Sequence, residues 1–194
     1  MQETKIISGN SQEEIWKNIE SDFSQNSDLF EYDAIIDQHG RKINLTIDID
    51  LGGGFEGGYA FTSFITELET LDSFQFALHH QDFMDEIGKF FGMEDVELGY
   101  PEFDKNVVVK TNDINRLQDI LSDQHIREIL QNIPEFNFHI IRHTSDYTLV
   151  EAAFLELRIE DGITETRQLR DIYNVFVSVM EKVDEASDSI LKYL

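Results

Sequence analysis

Three groups of side chains in this 194-residue sequence combine residue types that could do chemistry. The first is His79-His80, followed at once by Asp82, Asp85 and Glu86. Imidazole nitrogens and carboxylate oxygens are ligands of zinc, manganese and iron, so one reading is a metal-dependent enzyme using the His79–Glu86 region, with His80, Asp82 and Glu86 as ligands. The spacing argues against it. Neighbouring residues of a strand point to opposite faces, so His79 and His80 cannot meet at one ion without a bend. Asp82 stands where a helix N-cap belongs, and Asp85 and Glu86 suit the positive end of that helix. No HExxH-like spacing is present.

The second group is Asp48 and Asp50, which share the solvent side of a predicted strand, with Glu56 near in sequence. Paired carboxylates can bind calcium or act as acid and base. Alternating polar residues on a one-sided antiparallel strand give the same pattern with no function. The third group is His139 and His143, followed by Ser145 and Asp146. A Ser, a His and an Asp close in sequence do not make a triad, which is a matter of geometry, and there is no Gly-x-Ser-x-Gly elbow. Thr144 to Asp146 reads as a turn. The GGGFEGG run from Gly52 to Gly58 lacks the Gly-Lys-Ser/Thr ending of a phosphate-binding loop and reads as a connection between strands. No cofactor is expected, and the absence of Cys removes thiolate chemistry altogether.

The elements that would position these residues follow from periodicity. Ser11 caps a short amphipathic helix reaching Phe23, with Ile15 and Ile19 on its apolar side. Tyr32, Ala34 and Ile36 lead through His39-Gly40 into Ile43, Leu45, Ile47, Ile49 and Leu51, which alternate with Asn44, Thr46, Asp48 and Asp50; this predicts a hairpin with one buried and one wet face. Strands are expected from Tyr59 to Leu68 and through Phe74, Phe76 and Leu78. A short helix is expected from Asp82 to Gly92. Pro101 interrupts the next segment, and Val107 to Val109 form a β-branched run. Asn112 or Asp113 caps a helix with Leu117, Ile120 and Leu121, and Ser122 starts another that ends before Pro134. Strands follow through Phe136, Phe138 and Ile140 and from about Thr148 to Ile159, with a turn from His143 to Tyr147. From Thr164 the period is helical, with Leu169, Ile172, Tyr173, Phe176, Met180, Val183 and Ile190 in one stripe. The fold class is α+β: a mainly antiparallel sheet of six or seven strands, a long C-terminal helix and short inserted helices, in a single domain.

Charge is the strongest compositional signal. The chain has 39 acidic against 15 basic residues, a formal net charge of -24. Such a surface repels phosphate backbones and anionic headgroups, so neither nucleic acid nor membrane is an expected partner. A basic protein is, because opposite charge steers encounter. No window is apolar enough for a membrane span, and MQETKIISGNSQEEIW has no export pattern, so a cytoplasmic location is expected.

The stretch from Ile87 to Asp113, IGKFFGMEDVELGYPEFDKNVVVKTND, resembles a segment of an uncharacterised bacterial family, a domain of unknown function. In that family a Gly-Lys-Phe-Phe-Gly-Met turn leads through acidic residues into Pro-Glu-Phe-Asp, a short strand and Lys-x-Asn-Asp. Val107 departs from the pattern, which places Phe there, but keeps an apolar side chain. The family has no established activity, so the resemblance hands no catalytic or binding role to any residue. Physically, Gly92 and Gly99 suit special backbone angles and Phe103 suits a core anchor. Asp104, with Glu102 beside it, is the carboxylate of this segment most open to a binding role.

These readings lead to a non-enzymatic interaction module for a basic partner, on which Asp48, Asp50, Glu102 and Asp104 are the candidate contact residues. An immunity protein or a nucleic-acid mimic would have this charge. The alternatives are a small hydrophobic ligand- or lipid-binding domain that uses the 15 Phe residues, and the metal-dependent enzyme above.

Overall fold

The computed structural model describes residues 4–9, 11–25, 30–38, 40–53, 57–69, 72–80, 93, 95–144 and 151–191. Among the described residues eight strands form one sheet: β1 (Lys5–Ser8), β2 (Glu31–Gln38), β3 (Arg41–Asp50), β4 (Tyr59–Glu67), β5 (Phe76–His80), β6 (Val107–Thr111), β7 (Phe136–Thr144) and β8 (Glu151–Ile159). Their order is β1-β2-β3-β4-β8-β7-β5-β6. Only the β1–β2 pair is parallel. Five helices are described: α1 (Gln12–Gln25), α2 (Pro101–Asp104), α3 (Ile114–Ile120), α4 (Gln124–Gln131) and α5 (Thr166–Leu191). The α+β class and the long C-terminal helix are as the periodicity predicts.

The core lies between one face of the sheet and the helices. Tyr32, Ala34, Ile36, Ile43, Leu45 and Ile47 fill it from the β2–β3 hairpin, as alternation requires. Leu169, Ile172, Tyr173, Phe176 and Val183 fill it from α5, each buried aliphatic or aromatic side chain contributing about 1.5–3 kcal/mol. Phe176 meets Phe64 of β4 and Phe138 of β7, with ring centroids 5.7 and 6.0 Å apart, so α5 crosses the middle of the sheet. Trp16 of α1 meets Tyr173 edge-on at 5.4 Å. Arg116 of α3 donates to the Val183 carbonyl of α5, which brings the α3 end onto the same layer. Thr62 of β4 fixes the approach to α5, its hydroxyl donating to Asp161 O and accepting from Ile163 N.

Caps appear where short polar side chains stand. Ser11 Oγ accepts from Glu14 N, and Asp113 accepts from Arg116 N. Several expectations need correction. The sheet has eight strands because Lys5–Ser8 adds an edge strand in which only Ile7 is buried, too short to show a period. Pro101 begins a one-turn helix instead of merely interrupting the chain, since its missing N–H costs nothing at a first helical position. Asp123, not Ser122, caps α4, with its carboxylate accepting from His125 N. β7 continues through His143 to Thr144, where a turn was expected, because Ile141 to Thr144 still find partners in β8. Leu51 lies beyond β3 and is exposed, and Ile49 is only half-buried, so the buried alternation ends at Ile47. The expected helix from Asp82 to Gly92, Tyr147 and the Ile190 side chain lie outside the described residues.

Candidate functional site

The face of the sheet turned away from α5 carries most of the chemistry-bearing residues. The strand register places Asp33, Thr46, Ser63, Arg158, Asn137 and His79 in one row across it. A neighbouring row contains Asn44, Ile65, Glu156 and His139.

At the β2–β3 end this face is open. Glu31, Asp33, Asp37, Asp48 and Asp50 all stand on it, exposed or half-buried. None of the five makes an ion pair among the described residues. Glu31 lies directly opposite Asp48 across the ladder, a like-charge pair that weakens pairing. Local donors hold some of these carboxylates: Thr46 Oγ1 to Asp33 at 2.9 Å, Tyr59 OH to Asp48 at 3.1 Å and Gly52 N to Asp50 at 2.8 Å. The hydrogen bond and the negative charge of Asp48 push the Tyr59 phenol above its ordinary range. Tyr59 itself is 54% exposed.

At the β5–β7 end the same face is buried. His139 is 2% exposed and its Nε2 lies 3.3 Å from Glu156 Oε2. His79 Nδ1 donates to the His80 carbonyl at 3.2 Å. His79 Nε2 and the Nδ2 of Asn137, directly opposite on β7, are both buried without a hydrogen-bond partner among the described residues. Arg158 is held by Glu160 at 2.7 Å and lies 4.0 Å over the Phe61 ring.

Register puts His79 and His80 on opposite faces, as strand geometry predicts. Asp82 and Glu86 lie outside the described residues. Among the described residues, no three His, Cys, Asp or Glu side chains are arranged to hold a metal ion. Ser145, Asp146 and Glu56 also lie outside the described residues. His143 stands on β7 against Phe154, with ring centroids 5.8 Å apart.

In the signature segment Asp104 has a structural task. Its carboxylate accepts from the backbone N–H groups of Leu98, Gly99 and Tyr100 at 3.1, 2.9 and 2.9 Å, and so ties down the turn that precedes α2. Gly99 takes φ +84, a value that glycine adopts without strain. Phe103 is buried and Glu102 is exposed. The register therefore separates the four candidate carboxylates: Asp48 and Asp50 share the sheet face, whereas Glu102 and Asp104 lie on α2 beside the opposite edge of the sheet. Glu31, Asp33 and Asp37, which join Asp48 and Asp50, were not singled out from sequence. The alternation of EYDAIID is their signal, and it becomes informative only once β2 is known to pair with β3.

No protein-family model matches the chain, and no curated protein does. Among solved structures, the crystal structure of the mycobacterial trehalose monomycolate transport factor A, TtfA, superposes with a TM-score of 0.47 at 7% identity, over 82% of this chain and 76% of that one. At that level of similarity nothing about function carries over. No described helix is long and apolar enough to cross a membrane.

Proposed function

We propose that this chain is a non-enzymatic protein-interaction module whose acidic sheet face captures a basic partner. One observation carries the reading: five carboxylates stand together on the open β2–β3 face without an ion pair among the described residues, two of them directly opposed and only Asp37 facing a cation, Lys42, across the ladder. Like charges left facing across a ladder cost stability, by about 0.2–1 kcal/mol on the scale of cross-strand pairs. A Lys or Arg from a partner would relieve that repulsion, and the net charge of -24 would speed its arrival. Asp48 and Asp50 are then contact residues, together with Glu31, Asp33 and Asp37. Kinship of the 87–113 segment with the domain family described above is a separate part of the proposal, and no role rests on it.

The experiment is a capture from host lysate with three baits. These are the unaltered chain, Glu31→Lys/Asp48→Lys/Asp50→Lys, and the control Glu20→Lys/Glu135→Lys/Asp171→Lys, whose three sites are exposed and lie elsewhere. Both variants change the net charge equally. A basic protein held by the first and third baits and lost by the second supports the reading. A partner lost equally from both variants, or from neither, overturns it.

A further inference from the structure

A cleft of about 250 Å³ opens between α2 and α4, on the signature segment and far from the acidic sheet face. Tyr100 and Pro101 give it an apolar wall, and Glu102, Arg127 and Glu128 bring charge to it. Arg127 is fixed in place. Its Nη1 donates to the carbonyls of Leu121 and Ser122, and its guanidinium carbon lies 3.7 Å from the Tyr100 ring centroid. Its Nε and Nη2 have no partner among the described residues. Among the described residues it makes no ion pair, although two glutamates line the same cleft. Among the described residues Arg41, Arg116, Arg142, Arg158 and Arg170 pair with a carboxylate, and the other arginine without an ion pair, Arg167, is exposed on the surface.

The Nε–Nη2 edge of a guanidinium is a fork that grips a carboxylate through two parallel hydrogen bonds. Stacking on Tyr100 and the two carbonyl bonds pre-set that edge, so little side-chain entropy is lost when a ligand binds. A simple anion is a poor match, because Glu102 and Glu128 repel it; a simple cation is a poor match, because Arg127 does. A ligand with both charges satisfies both sides. The cleft is smaller than the about 300–1,000 Å³ of drug-sized pockets, which points to a molecule of amino-acid size.

We propose that this cleft binds a free α-amino acid with an apolar side chain. The carboxylate sits on Arg127, the ammonium faces Glu102 and Glu128, and the side chain lies against Tyr100 and Pro101. The site stands independently of the acidic-face reading.

Titration calorimetry of the full chain tests it, with L-leucine, L-methionine and L-phenylalanine as probes. The leucine analogues 4-methylpentanoate, which lacks the ammonium, and 3-methylbutylamine, which lacks the carboxylate, are run alongside. At least one amino acid is expected to bind saturably, and loss of either charge from the probe to weaken binding by about tenfold. Arg127→Lys removes the fork but also disturbs the end of α3, so Glu102→Gln, an exposed change, is the deciding variant. It should weaken the amino acid by about threefold and leave 4-methylpentanoate unchanged or tighter. Three outcomes would overturn the proposal: no saturable heat from any of the three up to about 20 mM, equal binding by a singly charged analogue, or no effect of Glu102→Gln.

Discussion

On the sheet face turned away from α5, the β2–β3 half and the β5–β7 half are both built from polar residues at alternate positions, yet they end in opposite states. In the first, Glu31, Asp33, Asp37, Asp48 and Asp50 reach solvent without an ion pair among the described residues, although Lys42 stands opposite Asp37 across the ladder. In the second, His79, Asn137 and His139 are buried, and two of them hold polar atoms without a partner among the described residues. Charge repulsion is cheap in water, so the open half can carry several unpaired carboxylates at little cost. Polar burial is expensive, at about 1–3 kcal/mol for each unsatisfied group, so the covered half must be stabilised by the core behind it. The open half therefore tolerates change in stability but not in charge, and the covered half does the reverse.

The largest expected effect lies in the covered half. His139→Ala removes the imidazole that faces Glu156 and leaves a gap on the covered sheet face, which should destabilise the chain by about 2–3 kcal/mol in urea melts. A loss below about 0.5 kcal/mol would mean that this half behaves as ordinary surface. Asn137→Leu acts in the opposite sense. It replaces an unpartnered buried amide with an apolar side chain of similar size, and a gain of about 1 kcal/mol is expected from the same melts.

The smallest stability change lies in the open half, and it comes with a spectroscopic signature. Asp48→Asn ends the repulsion with Glu31 and should stabilise by about 0.2–1 kcal/mol at low salt. It should also bring the Tyr59 phenol down towards its ordinary value near 10.0, because Asp48 supplies the main causes of its elevation. Tyr173 must not move: burial is the main cause of its raised phenol, with the Glu181 charge second. A phenol held up in the folded state favours the protonated form. Tyr173 therefore contributes full stability below the unfolded-state tyrosine range, and that contribution is lost as pH climbs above it. Tyrosinate absorbance against pH over the six tyrosines separates the two: in Asp48→Asn the Tyr59 component moves to lower pH, while the late component from buried Tyr32 and Tyr173, which accompanies unfolding, stays in place.

Much of the fold was legible because hydrophobic periodicity is local. The hairpin alternation from Tyr32 to Ile47 and the α5 stripe from Leu169 to Val183 each report their own buried face. β1 was not legible: four residues at a parallel edge, with Ile6 73% exposed, bury too little to leave a pattern. The site was harder. Asp48 and Asp50 show their wet side in sequence, but the company of Glu31, Asp33 and Asp37 comes from pairing between strands. Asn137 and His139 follow the same alternation as Asn44 and Thr46, and alternation says only that a residue leaves the core face. Whether that residue then meets water depends on the whole sheet. Asp104 invited a functional reading as a lone carboxylate, and its three backbone donors arise from a turn that no spacing rule announces.

Whether the open carboxylate face captures a basic partner is decided by the rate of that capture at two ionic strengths. With the partner recovered from lysate, the association rate of the unaltered chain should fall at least about tenfold from about 50 to about 300 mM salt, and Glu31→Lys/Asp48→Lys/Asp50→Lys should be slow at both. An unaltered-chain rate that barely changes across that range, or a charge-reversed variant that still shows the full salt dependence, would contradict the account.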